Sequence, residues 1–221
     1  MFATNPFAEL SAYIPVAMMQ GYIVLMVALV IIGTILDMLH KQSAKYFFLN
    51  AEKAKKDAKR EVGAGEKVAI AAQVLLVEVA TSGEFKNIKR RLSHLLTMWG
   101  TIIFVAATAV LIFKYPTTAT PEIWPQLWHV GALMLALGGY WFWFFIRVDV
   151  SAEGLPWYRL ERADLFILSL LATATFALLW SYTQYNGIAG WSTLFLILFA
   201  ASGAVLFGGV YWSKFPPMCF K

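Results

Sequence analysis

The sequence predicts an all-α membrane protein with five transmembrane helices, from its composition, its apolar segments and its charge distribution. Of 221 residues, 60% are hydrophobic and 14% are charged, whereas a soluble domain averages roughly half apolar and about a quarter charged. Five apolar segments have roughly the 20-residue length that crosses the hydrocarbon core of a bilayer. Lys and Arg are concentrated in a few of the connecting segments. We therefore expect one membrane domain covering the whole chain.

The five predicted spans contain no charged residue. They run from about Val16 to Leu36, Leu92 to Phe113, Leu127 to Ile146, Leu165 to Tyr185 and Trp191 to Trp212. Lipid offers no hydrogen-bond partners to the backbone, whereas an α-helix pairs its backbone groups internally. Each span is therefore predicted to be helical. Residues 1–13 contain Glu9 and no Lys or Arg. This leader and the long apolar run after it are not typical of a cleaved signal peptide.

The positive charges predict the orientation of the chain. The segment from Lys41 to Arg91 holds 12 of the 18 Lys and Arg residues. Five more follow the third and fifth spans: Arg147, Arg159, Arg162, Lys214 and Lys221. The positive-inside rule then predicts an external N-terminus and a cytoplasmic C-terminus in the inner (cytoplasmic) membrane. The net charge of +5 therefore indicates orientation and docking, and no nucleic-acid partner is expected.

The cytoplasmic loop, residues 40–91, is the main soluble part of the predicted protein. Its first half is rich in charge and in helix-forming residues, which fits either a solvated helix beside anionic lipid headgroups or a docking surface for a soluble partner. Its second half, Val68 to Val79, is almost wholly apolar but too short to span. An interfacial or re-entrant helix fits best. Such a helix has either a purely structural role or exposes apolar surface to a cytoplasmic subunit or a lipid-soluble substrate.

The three histidines of the chain, His40, His94 and His129, are the candidate cofactor ligands. Imidazole is a usual axial ligand of haem iron, although an interfacial histidine with ordinary hydrogen bonds is the structural alternative for each. His94 and His129 are predicted near opposite ends of their spans, roughly 25 Å apart at ~1.5 Å per residue, so they cannot share one iron. His40 and His94 are the pair that remains. Three histidines allow at most one bis-histidine haem b.

A second candidate site lies at the predicted cytoplasmic ends of the third and fourth spans. Arg147, Asp149, Arg162 and Asp164 are close together in the sequence there. They fit an ion-pair network around a quinone entrance or a partner contact, or alternatively the ordinary capping and solvation of helix ends. The sequence has no Cys-x-x-Cys, HExxH or glycine-rich phosphate loop, so no catalytic or metal site is predicted. Cys219 needs no special role.

The stretch from Lys86 to Gly100 resembles a known group of membrane subunits. It contains Arg-x-x-His-x-x-x-x-x-Gly, formed by Arg91, His94 and Gly100, after a short apolar helix and at the start of a span. This arrangement is similar to the five-helix membrane subunits of heterodisulfide-reductase-like and nitrate-reductase-gamma-like complexes. Within that group, the small size and the turn from Arg147 to Gly154 look most like the membrane anchors of adenylylsulfate reductase in sulfur-oxidising bacteria.

The resemblance implies a specific function. Such subunits carry electrons between a cytoplasmic flavin and iron-sulfur enzyme, here one that interconverts adenylylsulfate with sulfite and AMP, and the membrane quinone. His94 would occupy the haem-ligand position, with Arg91 beside it at the docking face. The later-helix histidines of the group are missing, since the fourth and fifth spans contain none. The alternative class is a non-redox membrane protein, either a small transporter subunit or an assembly factor.

Overall fold

A computed structural model describes the first four predicted spans, the fifth as far as Gly209, and most of their connections. The described residues are 1–41, 49–50, 52–53, 56, 63–83, 85, 87–117, 120–148, 154, 156–161 and 164–209. Helices dominate these residues, and no β-strand occurs among them. The all-α fold class is therefore confirmed.

Two short helices and five long ones form the described fold. The short ones are α1 (Pro6–Leu10) and α3 (Ala64–Gln73), and α3 continues as a π-helix over Val74–Ala80. The long ones are α2 (Val16–Lys41), α4 (Ile88–Phe113), α5 (Ile123–Trp141), α6 (Leu165–Tyr185) and α7 (Ala189–Gly208). A second π-helical segment, Phe142–Ile146, extends α5.

The five long helices are each long and apolar enough to cross a membrane, which makes the chain a multi-pass membrane protein. Two predicted starts were too late by four residues. Asn87 caps α4, its side chain accepting a hydrogen bond from the Lys89 N–H at 2.9 Å, so the basic residues before the apolar run are already helical. Similarly, α5 begins at Ile123 and includes Pro125 in its first turn, where proline's missing N–H costs little.

The long helices alternate in direction, and the two ends of the bundle carry different side chains. We call the end where α1 lies the leader end. There the Asn5 side chain donates hydrogen bonds to the Tyr115 carbonyl and the Thr120 hydroxyl, both at 2.9 Å, and Gln184 donates to the Pro6 carbonyl at 3.0 Å. We call the opposite end, where α4 begins and α5 finishes, the basic end.

Glycine allows α4 and α5 to approach until their backbones touch. A Cβ atom added to Gly100 would lie 2.6 Å from the Leu135 nitrogen, and one added to Gly131 would lie 2.6 Å from the Phe104 nitrogen. Small residues at helix contacts are the usual way in which membrane helices gain van der Waals packing. A packing role was not predicted for either glycine.

The core is aromatic near the leader end. Trp128 and Trp180 are fully buried, and Phe7 of the leader packs edge-on against both, with ring centroids 5.7 and 5.3 Å away. The Trp128 indole N–H donates to the Thr108 hydroxyl at 2.9 Å, so the buried polar group is satisfied. These two tryptophans are therefore core residues of the bundle, and their role is packing.

Candidate functional site at the basic end

The helix α3 and its π-helical continuation form an apolar arm beside the basic end. The sequence predicted a short apolar helix here, and the structure contains it over Ala64–Ala80. Val68, Ile70, Val74, Leu76 and Val77 are all exposed. No long helix of the described residues packs extensively along the arm. The arm therefore presents apolar surface outside the bundle.

A strained turn ends this arm. Ser82 has φ = 51°, a left-handed backbone conformation that residues other than glycine and asparagine rarely adopt. The next residue, Gly83, donates its N–H to the Val77 carbonyl at 3.0 Å. A Cβ on Gly83 would lie 2.8 Å from that carbonyl oxygen, so only glycine fits the turn. Residues held in such conformations often cluster at functional sites, because the surroundings must enforce them.

Three side chains of α4 hold this turn against the bundle. Arg91 donates from Nε to the Thr81 carbonyl at 2.8 Å, and the Trp99 indole donates to the Ala80 carbonyl at 3.1 Å. Between them, the His94 Nδ1 and the Ser82 hydroxyl are hydrogen-bonded at 2.8 Å. We call these three hydrogen bonds the clamp. Because all three end on residues 80–82, the clamp fixes where the arm leaves the bundle.

The structure gives each residue of the motif, Arg91, His94 and Gly100, a specific contact. Arg91 and His94 belong to the clamp, and Gly100 provides the contact of α4 with α5. The ring of His94 also packs against Phe85, with centroids 5.0 Å apart. Ser82 is buried, and its hydroxyl limits rotation of the imidazole. A hydrogen bond to one ring nitrogen is the usual means of orienting a histidine ligand.

The described residues supply one oriented imidazole at the basic end, that of His94, and the predicted bis-histidine haem would need a second. No cluster of three or more metal-ligating side chains occurs among the described residues. The predicted partner of His94 is His40, whose backbone lies in the last turn of α2 but whose side chain lies outside the described residues. The assignment of His40 and His94 to one haem stays a prediction.

His129 lies at the other end of the bundle, as its position in the sequence predicts. It is fully buried. Its Nδ1 donates to the Pro125 carbonyl at 2.7 Å, and its Nε2 is bonded to the Ser181 hydroxyl at 2.8 Å. Since both ring nitrogens have partners, binding iron would break one of these hydrogen bonds. In this arrangement His129 joins α5 to α6, and the cofactor role predicted for it stays a prediction.

The predicted ion pair between Arg147 and Asp164 is present. The Arg147 guanidinium donates to both carboxylate oxygens of Asp164, at 3.3 and 2.5 Å. It also donates to the carbonyls of Pro156 and Arg159, at 2.9 and 2.7 Å. Trp143 lies beneath the guanidinium, with its ring centroid 4.3 Å from Cζ. One buried cation therefore holds the connection between α5 and α6.

This geometry changes the interpretation of the second candidate site. Arg147 has no exposed surface, and Asp164 is buried as well. Two buried groups that bond to each other and to the connecting loop present little surface to an incoming quinone or protein, and these contacts fit the alternative of helix-end capping. Their role at an entrance stays a prediction. Asp149 and Arg162 lie outside the described residues, and their predicted roles stay predictions.

Sequence reasoning missed Ser82 and Trp99, which form the clamp with Arg91 and His94. A serine before a glycine is common in turns, and a tryptophan near a membrane surface is expected in any case. Neither signal indicates that Ser82 bonds to His94 of α4 or that Trp99 bonds to the Ala80 carbonyl at the end of the arm.

Comparisons with known protein families, with curated proteins and with solved structures find no match to this chain.

Proposed function

We propose that the protein is the membrane anchor and electron-transfer subunit of a cytoplasmic flavin and iron-sulfur enzyme of the adenylylsulfate reductase type. In this proposal the basic end faces the cytoplasm of a cell whose inner membrane holds the bundle. The enzyme docks there, and the two electrons released when sulfite is oxidised and joined to AMP as adenylylsulfate pass through the subunit to membrane quinone.

The observation that carries the proposal is the clamp. A helix that only rests on lipid needs no fixed attachment, whereas the arm is joined to α4 by three hydrogen bonds from Arg91, His94 and Trp99. Two of these three residues, Arg91 and His94, belong to the motif that resembles redox membrane subunits. A rigid apolar arm at the end with the positive charges is the feature expected of a docking surface.

The interior of the bundle supports an anchor over a transporter. Its buried polar side chains in the described spans mainly join neighbouring helices or bond to their own backbone. Examples are Ser93 with the Gly138 carbonyl at 2.8 Å and Trp128 with Thr108 at 2.9 Å. Charged side chains are absent from the middle of these spans. A proton-coupled transporter usually carries an ionisable residue there.

Reconstitution tests the proposal directly. The chain is placed in vesicles that contain menaquinone, and purified cytoplasmic adenylylsulfate reductase from the same organism is added with sulfite and AMP. We expect menaquinone to be reduced at least tenfold faster than in control vesicles that contain menaquinone and the added enzyme but lack the chain. The same rate in both vesicle types would refute the proposal.

A clamp variant and a neighbouring control test the site. Arg91→Gln with Trp99→Phe removes two of the three hydrogen bonds, and we expect quinone reduction to fall at least fivefold because the arm is no longer fixed. Arg90→Gln removes the adjacent positive charge but no clamp bond, and its rate should stay within twofold of the wild type. Equal losses in both variants would show that charge alone matters.

A visible spectrum tests the haem prediction separately. The visible absorption spectrum of the oxidised protein is subtracted from that of the reduced protein. A haem band in this difference spectrum that disappears in His94→Ala supports His94 as a ligand. A wild-type protein that reduces quinone with no haem band would refute the cofactor and leave the anchor function intact.

A further inference from the structure

The arm exposes apolar side chains on opposite sides. Val68 is 69% exposed and Ile70 is 48% exposed. The two residues lie about 200° apart around an α-helix with 3.6 residues per turn, so they point in opposite directions. A helix that is apolar on both sides is normally covered on both sides.

A membrane by itself covers only one of these sides. The uncharged run from Val68 to Val77 has ten residues, half of the roughly 20 that cross a bilayer. The arm therefore does not insert across the membrane. A helix that lies in the interfacial plane buries one face and leaves the other in water.

The polar residues of α3 show which side faces the lipid. Glu66, Lys67 and Gln73 lie within about 60° of Ile70 on a helix of 3.6 residues per turn, so they flank the Ile70 side. The Val68 side has Ala72 one turn further along and no polar residue close by. The Val68 side is thus the one suited to acyl chains, and the Ile70 side is an apolar stripe with polar margins, continued by Val74 one turn later.

A stripe of this kind is typical of a helix that enters a groove in another protein. Apolar anchors at i and i+4 fill the groove, and polar residues at the margins meet its rim. The sign of the rim follows from the surrounding charges. The segment from Lys41 to Arg91 contains twelve basic and six acidic residues, and the Lys67 and Lys89 side chains are exposed. An acidic rim complements this charge.

We propose that the arm lies between the bilayer and the docked enzyme, with Val68 towards lipid and with Ile70 and Val74 in an apolar groove rimmed by acidic side chains on the enzyme. This inference rests on the proposed function, because the enzyme is the partner. The clamp holds the arm in place before binding, which reduces the conformational entropy lost on docking.

The test measures the affinity of purified adenylylsulfate reductase for the full chain in lipid nanodiscs. Ile70→Glu and Val74→Glu should each weaken binding at least tenfold, since each introduces a carboxylate into an apolar groove with an acidic rim. Gln73→Lys also places a charge on this helix, but at the margin that meets the acidic rim and without removing an apolar anchor, so its affinity should equal or exceed that of the wild type.

A spin-label measurement tests the orientation without depending on these variants. In a Cys219→Ser background, a nitroxide is attached to Val68→Cys or to Ile70→Cys. The label at position 68 should be accessible to oxygen dissolved in lipid whether or not the enzyme is present. The label at position 70 should be accessible to a water-soluble nickel complex and should become protected when the enzyme binds.

The outcomes separate this inference from the proposed function. Binding of the wild-type chain with no effect of Ile70→Glu and Val74→Glu would overturn the inference and leave the anchor function in place. Absence of binding by the wild-type chain would remove both. If the variants convert a dimer of the chain into a monomer and leave the enzyme affinity unchanged, the stripe belongs to a second copy and the inference is wrong.

Discussion

A close backbone contact joins α4 to α5 at Gly100, and the substitution Gly100→Ala tests what this contact contributes. The added Cβ would lie 2.6 Å from the Leu135 nitrogen and 2.9 Å from the Gly131 carbonyl oxygen. Ordinary van der Waals contact begins at 3.4 Å, so the first distance is short by about 0.8 Å. Both atoms belong to the backbone and cannot move aside by a side-chain rotation. The two helices must therefore separate.

The expected cost follows from overpacking. Forcing an extra methyl group into a packed contact costs about 1–3 kcal/mol, and the inflexible neighbours at Gly100 place the substitution in the upper part of that range. The helices also lose contact around Gly131, whose own Cβ position lies 2.6 Å from the Phe104 nitrogen. Because both glycines form one contact, Gly100→Ala and Gly131→Ala together should cost less than the sum of the two.

Unfolding in mixed micelles measures the effect. The protein in dodecyl maltoside is titrated with sodium dodecyl sulfate, and tryptophan fluorescence reports the free energy of unfolding. Gly21→Ala is the matched control, since nothing lies within 4 Å of the Cβ it would add and alanine is better than glycine in a helix by roughly 0.5–1 kcal/mol. If Gly100→Ala proves as stable as Gly21→Ala, the proposed contact between the two helices is wrong.

Two further substitutions test the other buried contacts. Arg147→Met should lower the free energy of unfolding by about 3–5 kcal/mol, because it leaves the buried Asp164 carboxylate unpaired. Adding Asp164→Leu should recover much of that loss, and a double variant no more stable than Arg147→Met would contradict this. Asn5→Ala should cost about 0.5–2 kcal/mol, because it removes the cap of α1, and should speed amide exchange at Phe7 and Ala8; unchanged exchange would refute the capping role.

The spans were predictable because their signal is local and strong. A run of about 20 apolar residues leaves the backbone few alternatives in lipid, and α6 matches its predicted limits, Leu165 and Tyr185. The short apolar helix of the loop was predictable for the same reason. The starts of α4 and α5 were predicted too late because Lys89, Arg90 and Arg91 in α4, and Pro125 and Gln126 in α5, interrupt the apolar run in the first turn.

The candidate site was only partly predictable. Arg91 and His94 were identified through a motif. Their partners, Thr81 and Ser82, lie in the turn that ends the arm, and the left-handed conformation of Ser82 gives no clear sequence signal because serine rarely adopts it. The charge pattern brought Arg147 and Asp164 together correctly. It could not show that the pair is buried, since burial depends on how residues 156–161 fold over the guanidinium.

The sequence by itself therefore determined that the chain is helical, that it crosses a membrane five times, and roughly where each crossing lies. These properties depend on the free energy of transferring each segment into lipid, which is a sum over neighbouring residues. Only the tertiary structure decided that Gly100 and Gly131 join two helices, that His129 is occupied by hydrogen bonds, and that the clamp fixes the arm. Such contacts depend on distances between residues far apart in the chain, and those distances exist only after the helices have packed.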